Sequence, residues 1–455
     1  MIKFKGRLLI FGAGSVAQCV LEMIFGLIDI EPSHITVIDA THKESRIFRA
    51  LQKGVHYKIQ KVTVDNYISI LSTHLTKGDI LLDLSVEIDT LDLLAWCKDH
   101  DVLFVNTSIE VWDNVKSLEK KDLREQTLYL RHVKMHEMIA QWPENTPTAI
   151  VEHGANPGLV SHFAKKALVD MAKKVDDTTV QDALKKKDFA MLAYLLNVKT
   201  IHISEIDTQV SSKPKQKDEF VNTWSCDGLI EEAMAPAELG WGLHEKKLPP
   251  LGIEHEMGKK HQILLKSRGL NSHVHSWVPS GNIKGMVIRH GEAYSLCDAL
   301  TYEQKGQVIY RPTVHYAYYP CHDALLSLKE LEERGFEPQS KKRILSDEII
   351  EGKDELGCLL MGHSFNAWWI GSILDIHEAR KLAPHQSATT VQVAIGVIAA
   401  MIYAIENPRL GVLVPDDLDF ERILEIAKPY LGNFISAPSN YNINKSLQFN
   451  DFLIK

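Results

Sequence analysis

The segment Gly12-Ala13-Gly14-Ser15-Val16-Ala17 constrains this chain more than any other, because it joins an apolar stretch, Arg7 to Phe11, to a dense apolar run, Val16 to Phe25. A strand that turns on glycines into a helix opens a βαβ unit. Gly12 permits the tight turn, and Gly14 lets backbone N–H groups and the helix N-terminus approach a pyrophosphate. A second predicted strand, Ile35 to Ile38, ends at Asp39. Apolar runs at Ile80 to Leu84 and Val102 to Val105 then alternate with helical stretches such as Asp89 to Lys98. That rhythm predicts a parallel sheet covered on both faces, so residues 1–150 read as a Rossmann-type dinucleotide-binding domain.

The expected cofactor contacts are Gly12, Gly14, Ser15, Val16 and Asp39. A carboxylate closing the second strand accepts hydrogen bonds from both ribose hydroxyls and repels a 2′-phosphate, which favours NAD over NADP. Lys43 and Arg46 follow closely enough to keep NADP open.

The next break is Glu152-His153-Gly154-Ala155-Asn156-Pro157-Gly158, a loop before the helical pattern of Leu159 to Met171. Residues 151–385 read as a second α/β domain holding a mixed sheet and serving substrate binding and dimerisation. Its strands are predicted near Thr200 to Ile206, His261 to Lys266, Gly285 to Ile288 and Val308 to Tyr310, with helices from about His322. Residues 386–455 read as a C-terminal helical segment that partly returns to the first domain. The longest apolar stretch, Val391 to Ile405, carries Gln392 and is short for a membrane span, so a buried helix is expected.

Several function classes are disfavoured. The formal charge of −8 comes from 59 acidic and 51 basic side chains with no basic stripe, so neither nucleic acid nor a membrane is expected as a partner. Six scattered cysteines and an N-terminus without an apolar signal segment predict buried thiols in a cytoplasmic protein. No metal is expected: His255 and His261 with Glu254 and Glu256 do not form an H-E-x-x-H helix, and His273-Val274-His275 lacks a third ligand.

The polar residues near predicted strand ends are unusual in sign. Glu87, Glu110 and Glu205 lie inside or just after apolar runs, and Trp224 precedes Glu231-Glu232. Acidic groups at strand ends create a negative pocket, and tryptophan is the best cation–π partner for an ammonium or iminium. His290, beside a glycine after a predicted strand, is a candidate acid–base group. An amino- or imino-acid dehydrogenase using NAD would instead call for fixed arginines facing its substrate carboxylates.

Over essentially its whole length the chain resembles the bacterial homospermidine synthases, relatives of the saccharopine dehydrogenase fold. The segments that carry the resemblance are GAGSVA, LDLSVEIDT, NTSIEVW, HGANPGLVSH, ISEIDTQVSSKP, EFVNTWSCDGLIEEAMAPAELGWG, RHGEAYSL and YRPTVHYAYYPCHDAL. The resemblance implies oxidation of putrescine to an iminium with NAD, exchange with a second putrescine, and reduction to sym-homospermidine, with no net use of NAD. Polyamines, putrescine first and spermidine as a further candidate, are the implied partners, and a homodimer the implied assembly. It further implies that Trp224 stacks near the cationic intermediate, and that Glu205 and Glu232 bind ammonium groups or move protons. His290 and Asn156 then position substrate or nicotinamide, and Glu87 and Glu110 complete the far end of a diamine site. Which of Glu205, Glu232 and His290 performs each proton transfer stays open.

Overall fold

A computed structural model describes residues 1–112, 122–441 and 446–454, and the chain divides into two compact units. The first comprises residues 1–120, 134–159 and 377–430.

Its frame is a seven-stranded sheet with the order Val412–Leu413, Ala149–Ile150, Leu103–Asn106, Ile80–Asp83, Leu8–Phe11, Ile35–Asp39 and His56–Ile59. Every pairing is parallel. The four inner strands from Leu103 to Asp39 are almost wholly buried, which is why they are continuous apolar runs and not alternating ones. The strand order reverses beside Leu8–Phe11, and the ligand crevice of such a sheet lies at the carboxyl ends there.

The glycine turn follows Leu8–Phe11 directly, and the helix it opens runs Ser15–Met23 with Gly14 as its N-cap. The longest helix among the described residues, Ala388–Glu406, is hydrophobic enough by composition to cross a membrane, yet nearly all of it is buried. Gly396 on that helix touches backbone: a Cβ there would stand 2.1 Å from the carbonyl oxygen of Gly154.

The second unit comprises residues 121–133, 160–376 and 431–455. Its ten-stranded sheet runs Gly252–Glu254, Gln262–Arg268, Pro236–Gly240, Thr313–Tyr319, Thr200–Asp207, Lys353–Met361, Ala367–Asp375 and Asn433–Ser439, and the hairpin His273–Val278/Gly281–Met286 joins it at Tyr318. Thr313–Tyr319 pairs in parallel with Thr200–Asp207 and the other pairings are antiparallel, so the sheet is mixed.

Beyond His322 the structure departs from the sequence expectation. One helix, His322–Glu333, is present, but the long strands Lys353–Met361 and Ala367–Asp375 follow it. Both are buried along nearly their whole length, so they lack the alternation that marks a half-exposed strand. The final residues add the strand Asn433–Ser439 to this unit's sheet, while Phe420–Ala427 is a helix of the first unit.

Candidate active site

In the first unit, Gly12 has φ +85, and a Cβ there would lie 2.7 Å from the carbonyl oxygen of Leu84 at the end of the neighbouring strand. Glycine is therefore required by conformation and by close approach. Gly14 differs: its φ is −67, and a Cβ added there would meet no atom within 4 Å. The helix starting at Ser15 has no side-chain cap and no acidic residue in its first turn, and Gly14, Ser15 and Val16 are only half-buried. Uncapped N–H groups with open space in front of them are what a pyrophosphate needs, so these residues fit a dinucleotide.

Asp39 closes its strand as expected, but protein donors surround it. Its Oδ2 accepts from Ala13 N at 2.8 Å and Lys43 Nζ at 3.0 Å, and its Oδ1 from Thr41 N at 2.8 Å and Thr41 Oγ1 at 2.7 Å. Burial raises its carboxyl, but these bonds outweigh that and hold its pKa below the usual carboxylate value. The carboxylate thus ties the glycine turn to the end of the second strand.

Asn156 is half-buried in the otherwise buried loop after Ala149–Ile150. That loop is anchored by Asn106, whose Oδ1 accepts from Glu152 N and whose carbonyl accepts from His153 N, both at 2.8 Å. Glu110 is buried, with Oε1 accepting from Ser108 Oγ at 2.9 Å, and its backbone N–H donates to Thr90 Oγ1 at 2.9 Å. Glu87 is exposed, with φ +61, in the turn after Ile80–Asp83.

In the second unit, four residues singled out in the sequence come together around two tyrosines that sequence reasoning missed. Parallel pairing puts Tyr318 opposite Glu205 and Tyr316 opposite Ile203, so both rings share a sheet face with Glu205 and Asp207. Tyr316 donates its hydroxyl hydrogen to Glu205 Oε2, and the two tyrosine rings stack with centroids 5.4 Å apart. Trp224 Nε1 donates to the Tyr318 hydroxyl at 3.0 Å. The Trp224 ring has room because residue 228 is glycine: a Cβ there would be 2.8 Å from the indole Cζ3. Thr223, beside it, donates to Asp207 Oδ2 at 2.5 Å.

His290 completes the cluster. Its ring lies 4.3 Å from that of Tyr316, its Nε2 is 3.4 Å from Glu232 Oε2, and its Nδ1 is 3.3 Å from Glu292 Oε1. Burial favours the neutral imidazole, but the carboxylates of Glu292 and Glu232 outweigh it and hold its pKa well above the ordinary histidine value. Burial pushes Glu232 up, and burial together with Glu205 pushes both tyrosine hydroxyls far up, so they stay protonated donors. Both His290 nitrogens, Glu232 Oε2 and both Glu292 oxygens are buried without a hydrogen bond of good geometry. An ammonium, with three N–H donors, would satisfy such carboxylate acceptors.

Glu292, Tyr316 and Tyr318 were legible only in part. Glu292 lies two residues after His290, and the Tyr-Ala-Tyr alternation marks one strand face, but the partner strand is not written in the local sequence.

Comparison with known proteins joins these observations. The family model for the saccharopine dehydrogenase NADP binding domain matches residues 8–150, and that for the saccharopine dehydrogenase C-terminal domain matches residues 154–437. The chain is 40% identical over 453 residues to a homospermidine synthase of Blastochloris viridis, covering 96% of this chain and 92% of that protein. It is 39% identical over 437 residues to one of Mesorhizobium japonicum, covering 94% and 90%. The solved structure of the homospermidine synthase of Legionella pneumophila in complex with NAD superposes with a TM-score of 0.89 at 37% identity, covering 100% of this chain and 99% of that one. Saccharopine dehydrogenase (L-Glu forming) of Saccharomyces cerevisiae shares the fold, with a TM-score of 0.52 at 12% identity, covering 95% and 99%. With relatives matched over nearly its whole length, the chain belongs to the homospermidine synthase family and is built on the saccharopine dehydrogenase architecture.

Proposed function

We propose that this chain joins two molecules of putrescine into sym-homospermidine with release of ammonia, using NAD that is regenerated in each turnover. The observation that carries the reading is the cluster of buried His290 and Glu292 with half-buried Glu232, in which the His290 nitrogens, Glu232 Oε2 and the Glu292 oxygens close no hydrogen bond of good geometry, beside Glu205 and the Trp224 and Tyr316 rings. A site lined by carboxylates and aromatic rings selects a cationic amine, whereas an amino-acid substrate would require a cation facing its carboxylate.

NAD, when bound, would supply reversible two-electron hydride chemistry at the amine-bearing carbon. Gly12, Gly14, Ser15 and Val16 would hold its pyrophosphate, Asp39 would support the adenosine end, and Asn156 would position nicotinamide or substrate. The chain's remaining work is electrostatic. The Glu205 carboxylate, oriented by the Tyr316 hydroxyl, faces the developing iminium, and the Trp224 ring stabilises the same charge and excludes water. Glu232 and His290 take the proton from the attacking amine and return one to the departing nitrogen, so that it leaves as ammonia.

The assembly follows the resemblance, a homodimer, and six free, buried thiols support a cytoplasmic setting. The test is incubation of the pure protein with NAD⁺ and putrescine, separation of the products by chromatography, and measurement of ammonia. Homospermidine and ammonia in equal amounts without growth in NADH absorbance are expected. NADH accumulating in step with substrate loss would make the chain an ordinary dehydrogenase.

A further inference from the structure

Arg289 and Glu231 each precede a member of the His290–Glu232 contact by one residue, and they are themselves an ion pair: Arg289 Nη2 bonds to Glu231 Oε1. Two adjacent contacts thus connect the same two segments, the helix Cys226–Met234 and the turn that opens the helix Gly291–Ala299.

The two contacts differ in quality. Arg289 is 3 % exposed, and its second nitrogen, Nη1, donates to the Gln126 carbonyl at 2.6 Å. Glu231 has a further cation, with Arg131 Nη2 at 3.5 Å. A planar guanidinium fixed at two points in a desolvated setting has little freedom to shift. His290 and Glu232, by contrast, stand 3.4 Å apart with neither group closing a good hydrogen bond. Their spacing is not enforced by their own contact, so it is set by the segments that carry them.

We propose that Arg289 and Glu231 are a positioning pair that fixes the distance between the His290 imidazole and the Glu232 carboxylate. This rests on the reading above, in which His290 and Glu232 move protons in the reaction. The groups that face the imidazole are Glu232 from the helix Cys226–Met234, Glu292 from its own helix, and Tyr316 from the strand Thr313–Tyr319, with Glu205 bonded behind it. With the pair removed, Glu232 drifts away while Glu292, two residues along the same chain, stays. The imidazolium then loses one of the two charges that hold its proton.

The experiment measures kcat and KM for putrescine against pH in Glu231→Gln and in the double variant Arg289→Met/Glu231→Met, with melting temperature and NAD binding followed in parallel. The double variant leaves neither Arg289 nor Glu231 as a lone buried charge, so it keeps the test open should Glu231→Gln fail to fold. The expected result is a kcat lowered about tenfold or more with KM within about threefold, and an alkaline limb displaced to lower pH by about one unit. A merely structural pair would change melting temperature without moving the pH profile. A folded double variant with wild-type kcat and an unchanged profile overturns the proposal. Glu232→Gln, run beside it, separates the two readings: wild-type turnover there would overturn the proton-transfer reading and the positioning proposal with it.

Discussion

The Trp224 indole donates its N–H to the Tyr318 hydroxyl at 3.0 Å, and Tyr318 stands opposite Glu205 on the paired strand. The indole orientation is therefore tied to the strand that carries a carboxylate of the same cluster. Cation–π stabilisation and simple packing give different orders of mutants here. Trp224→Phe keeps a weaker quadrupole and should keep part of the rate, whereas Trp224→Leu keeps only an apolar surface and should lose about fivefold to thirtyfold in kcat, as about 1–2 kcal/mol of cation–π energy implies. Equal rates in the two folded, NAD-loaded variants would leave Trp224 as a wall of the pocket.

Glu205→Gln keeps an acceptor for the Tyr316 hydroxyl but removes the charge, while Tyr316→Phe keeps the charge and removes its orientation. The first should lower kcat by about a hundredfold or more and the second by about tenfold, with Lys217→Ala, an exposed substitution, unchanged. Homospermidine formed per minute is the measurement. Wild-type activity in Glu205→Gln would remove it from the site.

The two glycines of the nucleotide turn should fail in different ways. Gly12→Ala meets the Leu84 carbonyl and a φ of +85, so it should lower the melting temperature, at a cost of about 1–3 kcal/mol. Gly14→Ala meets no atom of the protein and should lose at most about 1 kcal/mol of stability, yet its methyl fills the space in front of the helix. Calorimetry of NAD binding should show the affinity lost in Gly14→Ala with the fold intact. Unchanged affinity would place the pyrophosphate elsewhere.

Asp83 supplies a pH test of the first unit. It is buried at the end of its strand, and burial raises its pKa to about 6 despite two bonds from Ser85. The folded state therefore binds its proton more tightly than the unfolded chain. Between the unfolded value near pH 4 and about 6, stability falls as pH rises, and above that the full penalty of the buried charge is present. Asp83→Asn should flatten that slope and stabilise the protein at pH 8 relative to pH 4, by roughly 2–3 kcal/mol at most. Denaturant unfolding of both proteins at the two pH values reads the difference. A slope of the same size in the variant would assign it to other groups.

How much of this was written in the sequence varies from residue to residue. The glycine turn, the strand before it and the helix after it are local, and periodicity within a few residues reports them. Glu205, Trp224, Glu232 and His290 stood out because charge or a large ring interrupts an apolar setting, and the structure groups them. Tyr316 and Tyr318 did not stand out, because tyrosine is an ordinary strand residue and only the register against Glu205 gives them a role. Lys353–Met361 was missed because burial on both faces erases the alternation that reveals a strand. Asp39 was legible as a strand-terminal carboxylate, but its four protein donors come from the folded turn.

The division of the chain has a consequence for how it is made. The nucleotide unit needs the helix Ala388–Glu406 and the edge strand Val412–Leu413, both encoded near the end of the chain. During synthesis the glycine turn emerges first, yet the backbone of Gly396 that packs against Gly154 arrives some hundreds of residues later. Until then the Ala149–Ile150 edge and the sheet surface under Ala388–Glu406 stay uncovered. For the same reason, a fragment ending near residue 160 would lack both the helix and the edge strand that complete its unit, and should lose solubility relative to the full chain.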